Sequence, residues 1–208
     1  MARPRGAYAV AVPGTSSSPV MPVTSNPEAN ELLVTDPLAL VIGMLLDQQV
    51  PMEWAFLGPW TLRERLGGIL DAAAIAAMDP DELDRIFRDK PALHRYPAAM
   101  AKRTHALCQH VVEHYDGDVS RVWTEAADGA DLYRRVRQLP GYGDEKARIL
   151  LAILGKRLGV RPEGWEAAAA PFSDETPRSV ADIDSAEAFA RVRAFKKQRK
   201  AEGKGKAD

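Results

Sequence analysis

The chain has 208 residues, 46% of them hydrophobic and 27% charged, and a formal net charge of −1. That length predicts one domain, or one domain in two lobes, with enough apolar residues for a core. The charge balance excludes a bulk electrostatic case for nucleic acid, so any basic footprint has to be local.

A single cysteine, Cys108, excludes a disulfide framework and any four-cysteine metal or iron–sulfur site built within the chain. It suits a reducing, cytoplasmic setting. The early apolar run Ala7 to Val12 is too short for a signal h-region and stops at Pro13-Gly14. No stretch approaches the ~20 apolar residues of a spanning helix, so a soluble protein without a membrane partner is expected.

Residues 1–25, rich in Pro, Ser, Val and Thr, are expected to form a disordered tail. Asn26-Pro27-Glu28 reads as an N-cap with proline at the first helical position, and Asp36-Pro37 repeats the signal. The helix opened by Asp36 is the most apolar, with Leu38, Val41, Ile42, Leu45 and Leu46 on one face, and Pro51 ends it. Trp54 to Leu66 continues as helix, with a break expected at Gly58-Pro59 and closure at Gly67-Gly68. Asp71 and Asp79-Pro80 open two short helices. Pro91 to Pro97 is a loop carrying His94, Arg95 and Tyr96.

Met100 to Tyr115 is amphipathic, with Leu107, Val111 and Val112 predicted inward and Lys102, Arg103 and Glu113 outward. A short helix follows over Arg121 to Ala127. Residues 129–158 then form a helical hairpin, joined through Leu139-Pro140-Gly141-Tyr142-Gly143-Asp144-Glu145-Lys146-Ala147. Pro140 stops the first helix, and Gly141 and Gly143 supply φ freedom at the reversal. The small turn also bares amides beside the next helix N-terminus, a place that attracts phosphate and reads no base sequence. A last helix over Ser185 to Lys200 becomes basic, with Arg191, Arg193, Lys196, Lys197, Arg199 and Lys200 as a phosphate grip or a solvated tail. No alternating strand pattern occurs. The expectation is an all-α fold of nine or ten helices, with a main domain at 26–198 and a basic flexible end at 199–208.

Three of these stretches together resemble the helix-hairpin-helix (HhH-GPD) base-excision DNA glycosylases of the endonuclease III superfamily. They are Asp36 through Gln48-Gln49-Val50, Ala98 through Asp118-Val119, and the L-P-G-x-G-x-x-x-A hairpin from Leu139 to Ala147. Their order and spacing agree over about residues 30 to 160. The resemblance implies a two-lobed helical fold without an iron–sulfur cluster, and double-stranded DNA carrying a damaged or mispaired base as partner. The base would be flipped into a cleft, because its reacting carbon is inaccessible inside the stack. It also implies that Gln49 or its neighbour Gln48 fills the vacated space, although a polar helix cap suits the same place. Gly141, Tyr142, Gly143, Lys146, His94 and Arg95 complete the expected DNA-facing set.

The catalytic pattern departs from the family's bifunctional members. Their Schiff-base lysine falls on Glu145, with Lys146 one residue on and rotated by about 100°. The expectation is therefore a monofunctional, hydrolytic glycosylase that needs a carboxylate but no cofactor. The family's V-D-x-H context is missing. Ungapped counting lands on Glu163 and a small insertion on Glu166. Asp182, near Asp184, has a slightly similar setting, and Glu145 stands beside the hairpin itself. Each also suits an exposed helix cap. A scaffold that binds distorted DNA without chemistry is the alternative, and a helical interaction protein the third reading. His110 and His114 have i, i+4 spacing but no third ligand, so no metal is expected. Trp54, Trp60 and Trp165 suit base stacking or core packing, and Cys108 suits the core.

Overall fold

The computed structural model describes residues 20–203 and 205, among which every regular element is helical. Of the expected tails at 1–25 and 199–208, residues 1–19, 204 and 206–208 lie outside the described residues, while 199–201 continue the last helix, Ala186–Ala201, rather than forming a flexible end. The inner end of the expected N-terminal tail is shorter than residue 25, because Met21 and Val23 are buried in the core. Thr24 is tied to Asn30, its backbone amide donating to Asn30 Oδ1 at 2.9 Å.

Short polar caps lay out the first elements. Asn26 accepts from the Ala29 amide to open α1 (Pro27–Thr35), and Asp36 accepts from Leu38 and Ala39 to open α2 (Pro37–Leu46). The two helices meet at 112°. Every residue of α2 from Leu38 to Leu46 is buried, the pattern of a central helix rather than an amphipathic one. At about 1.5–3 kcal/mol for each large apolar side chain, its burial is a major source of stability.

α3 (Met52–Arg65) runs through Gly58 and Pro59 without the expected break. Gly58 is there for packing: a Cβ on it would lie 2.5 Å from Leu46 Cδ1. Gly43 of α2 has the same role, its Cβ position being 2.9 Å from Phe56 Cδ1. Two glycines thus bring α2 and α3 together more closely than side chains would allow.

α4 (Ala72–Ala77) and α5 (Pro80–Arg88) pack on α6 (Pro97–Tyr115), which buries Met100, Thr104, Leu107, Cys108 and Val111. Val112, expected inward, is exposed. Cys108 is fully covered, and burial pushes its thiol pKa up to about 12. After α7 (Arg121–Thr124) comes the hairpin of α8 (Gly129–Gln138) and α9 (Asp144–Arg157). α10 (Trp165–Ala169), a 3-10 turn at Val180–Asp182 and α11 (Ala186–Ala201) complete the chain. α10 and the 3-10 turn pack on α9, while α2 contacts α1, α3, α6 and α9. One continuous apolar core therefore joins the helices around α6 to those around α9. Among the described residues no single helix is long and apolar enough to cross a membrane.

Gly58→Ala is expected to destabilise the protein by about 1–3 kcal/mol through overpacking against Leu46, read as a lowered urea midpoint with unchanged m-value.

Candidate nucleic-acid interface

The last turn of a helix leaves carbonyls that the helix itself cannot satisfy. In α2 those of Gly43 and Leu46 accept from the backbone amides of Asp47 and Gln48, at 3.1 and 2.7 Å. The Gln48 side-chain amide donates to Leu45 O at 2.7 Å. Lys146 Nζ, from the first turn of α9, donates to Leu45 O at 2.8 Å and also to Met44 O. Its positive charge therefore sits at the negative end of the α2 dipole. Lys146, expected from sequence to face DNA, fastens the hairpin to α2.

The hairpin turn is held to the same helix by two further contacts. Tyr142, expected to face DNA, is buried, and its hydroxyl donates to Val41 O at 2.7 Å. Burial pushes its pKa well above the ordinary tyrosine value, so it stays a neutral donor. Gly141 has φ +85°, and a Cβ there would lie 2.3 Å from Leu45 Cδ1. Gly143 differs from the expectation for both glycines. Its φ of −80° is open to any residue, and nothing lies within 4 Å of its Cβ position.

Gly143 is the N-cap of α9 and supplies no side-chain hydrogen bond, an arrangement that lets an anion approach helix amides. The first turn nevertheless carries Asp144 and Glu145. Asp144 accepts from Tyr133 Oη and from Arg148 Nε, and the tyrosine hydrogen bond is the main influence that lowers its pKa. On the basic side is Arg137, which donates to Tyr142 O at 2.8 Å.

A third group closes on the turn between α2 and α3. His94 is 1% exposed. Its Nδ1 accepts from the Tyr96 amide at 3.0 Å, which places the proton on Nε2, and Nε2 lies 3.0 Å from Gln48 O. Burial lowers its pKa first; the charges of Lys146 and Arg103 add to this, while hydrogen bonding to the Gln48 and Leu46 backbone opposes it. His94 is thus a neutral donor that pins the turn, and its side chain does not reach the surface expected to meet DNA. Arg103 Nη1 donates to Gln48 Oε1 at 2.5 Å. Both ends of the Gln48 side chain are therefore occupied. Gln49 is exposed with φ +58°, so the structure separates two glutamines that sequence left equivalent. Arg95 is exposed, with its guanidinium 5.4 Å from the Tyr96 ring centroid. Trp54 is partly exposed beside this cluster, 6.3 Å from His94 between ring centroids.

The four carboxylate candidates do not gather. Glu145 stands at the hairpin turn, exposed in the first turn of α9. Glu163 O accepts from Gly129 N at 2.7 Å, which ties it to the start of α8. By helix rise that is about 15 Å from the hairpin turn. Glu166 is exposed on α10, next to Trp165, whose ring covers Gly155 near the end of α9. Asp182 accepts from Lys156 at 2.6 Å and from the amides of Arg178 and Ser179, and its side chain is 8% exposed. It belongs to a buried ion pair and a capping box. Asp47, which sequence analysis passed over, lies in the glutamine turn itself and lines a groove with Gln48 and Gln49.

Trp165 is buried, and Trp60 is partly buried against the core. His110 and His114 stand 4.2 Å apart between ring centroids, and no group of three metal-binding side chains is assembled among the described residues.

Residues 42–206, the greater part of the chain and all of this site but Val41, match the HhH-GPD superfamily base excision DNA repair protein family. The chain belongs to that family. No curated protein and no solved structure matches it. Membership makes it a base-excision DNA repair protein with DNA as its partner. The hairpin–α2 contact then acquires its meaning, as the junction of two stretches that carry the family likeness.

Lys146→Met is expected to lower stability by about 2 kcal/mol, since two carbonyls lose a charged donor; chemical denaturation reads it. His94 adds a pH dependence. Its folded pKa lies below the unfolded 6.5, so below that pH the unfolded chain binds the extra proton and stability falls as pH falls. His110 is shifted the same way by burial. His94→Gln should therefore reduce, without abolishing, the loss of urea midpoint below pH 6.5.

Proposed function

We propose that this repair protein is a monofunctional DNA glycosylase, hydrolysing the N-glycosidic bond of a damaged or mispaired base flipped from double-stranded DNA. We place it with the DNA of the nucleoid, in the cytoplasm. The observation that carries the reading is the fastening of the hairpin and the glutamine turn to one helix end, which fixes a backbone-contact element and an exposed Gln49 relative to each other. Gln49 is suited to fill the space that the flipped base leaves. Flipping costs a few kcal/mol, least at a weakened pair, so a rigid wedge favours damaged sites.

Hydrolysis breaks the bond between the sugar anomeric carbon and the base nitrogen. The base leaves with the electron pair and takes a proton, while water adds to the developing oxocarbenium ion. A carboxylate supports this by stabilising positive charge and orienting water. Of the four sequence candidates, Glu145 is supported by its place at the hairpin. Lyase chemistry is disfavoured because Glu145 occupies the lysine position and Lys146 is engaged with Met44 and Leu45.

A second reading has its own support: a protein that recognises distorted DNA without cutting it. Asp182 is committed to Lys156, and Glu163 is tied to the start of α8, at the far end of that helix from the hairpin turn.

The test is excision on duplexes carrying uracil, alkylated bases, oxidised guanine or mismatches. Wild-type protein is expected to yield abasic product on at least one, with no borohydride-trapped adduct. Glu145→Gln should slow excision by about 10²-fold or more with little change in DNA affinity. Lesion binding without abasic product across the panel selects the second reading.

A further inference from the structure

α11 returns across the chain to the turn between α2 and α3 and forms a groove with it. Asp47 to Glu53 make one wall, and Arg193, Lys196, Lys197 and Lys200 are on the other, around about 760 Å³. The helix is seated by Val192 in the core, by Arg193 Nη1 at 3.1 Å from Glu53 Oε1, and by Lys196 Nζ at 2.8 Å from Met52 Sδ. Positions 193, 196, 197 and 200 recur at intervals of three and four, which places them on one helix face. Four cations therefore meet two carboxylates, Asp47 and Glu53, in a chain whose net charge is −1. The Arg193–Glu53 pair is exposed on both sides, the kind of contact worth at most about 1 kcal/mol and readily exchanged for another anion.

We infer that this groove holds the phosphodiester backbone of DNA, with Lys197 and Lys200 as its principal phosphate contacts and Arg193 joining them by leaving Glu53. This rests on the DNA-binding reading of the site above and adds a second backbone contact to it. Charge distribution favours it. The first turn of α9 carries Asp144 and Glu145, and the cations around it are engaged within the protein, Lys146 with the end of α2, Arg137 with Tyr142 O and Arg148 with Asp144. Lys197 and Lys200 stand exposed on α11, beside the same glutamine turn. The four groove cations spread over about 10 Å of helix, which fits a repeating polyanion better than one small anion. Val50, Pro51 and Met52 give the groove an apolar wall suited to sugar faces. DNA crossing the hairpin turn and this groove would pass Gln49 on the groove's own wall, where a wedge acts on a held duplex.

The experiment uses the full chain and a duplex containing an abasic-site analogue, with affinity measured by anisotropy from about 50 to 200 mM salt. Lys197→Gln/Lys200→Gln is expected to lower the slope of log affinity against log salt by about 2, since each phosphate contact contributes about 0.9. Affinity at the lower salt should drop 10-fold or more. Lys197→Arg/Lys200→Arg should keep the wild-type slope, and melting temperatures should match throughout. If wild type binds and the glutamine variant retains its slope and affinity, the groove assignment is overturned while the hairpin reading stands. If wild type binds no duplex at any salt in this range, both fall.

Discussion

An apolar helix buried on every side creates a problem at its end: the final carbonyls arrive in the interior without partners. In this protein that end is α2, and the solution comes from several parts of the chain. Lys146 crosses from α9, the Gln48 side chain folds back onto Leu45, and His94 and Arg103 hold Gln48 in place. A buried unsatisfied acceptor costs about 1–3 kcal/mol, so this capping is a condition of the fold. It also fixes the hairpin, the loop around His94 and the glutamine turn to one another.

The functional side chains are therefore positioned by a structural necessity. Gln49 stands exposed at positive φ because its neighbour is held at the backbone oxygen and at both ends of its amide. Gly141 has no Cβ to collide with Leu45, so the hairpin turn can lie directly on α2. A wedge and a backbone contact that moved independently would lose part of their binding energy to ordering. Here much of that ordering takes place on folding.

Local signals served well wherever the physics was local. Asn26, Asp36, Asp71 and Asp79 all cap the helices that their positions announce, because a short polar side chain before proline or a good helix former acts within one turn. The hairpin and the apolar character of α2 were equally legible. Gly58-Pro59 was not, since the glycine answers to Leu46 on another helix and not to its own chain. Lys146, Tyr142 and His94 were misplaced for the same reason: their partners Met44, Val41 and Gln48 are distant in sequence. The carboxylate question depended on where the return segment after α9 lies. That is decided by Trp165 on Gly155 and by the Lys156–Asp182 pair, neither of which has a periodic signature.

Cys108 has an experimental use beyond its place in the core. It is the chain's single cysteine, it is fully covered, and its thiol is held far above neutral pKa. Thiolate, the species that reacts with maleimides and nitroxide reagents, is therefore scarce in the folded protein. The native chain already serves as a silent background for thiol labelling. A cysteine introduced at an exposed position would report from that position alone, so distances between helices can be followed without first removing the natural residue.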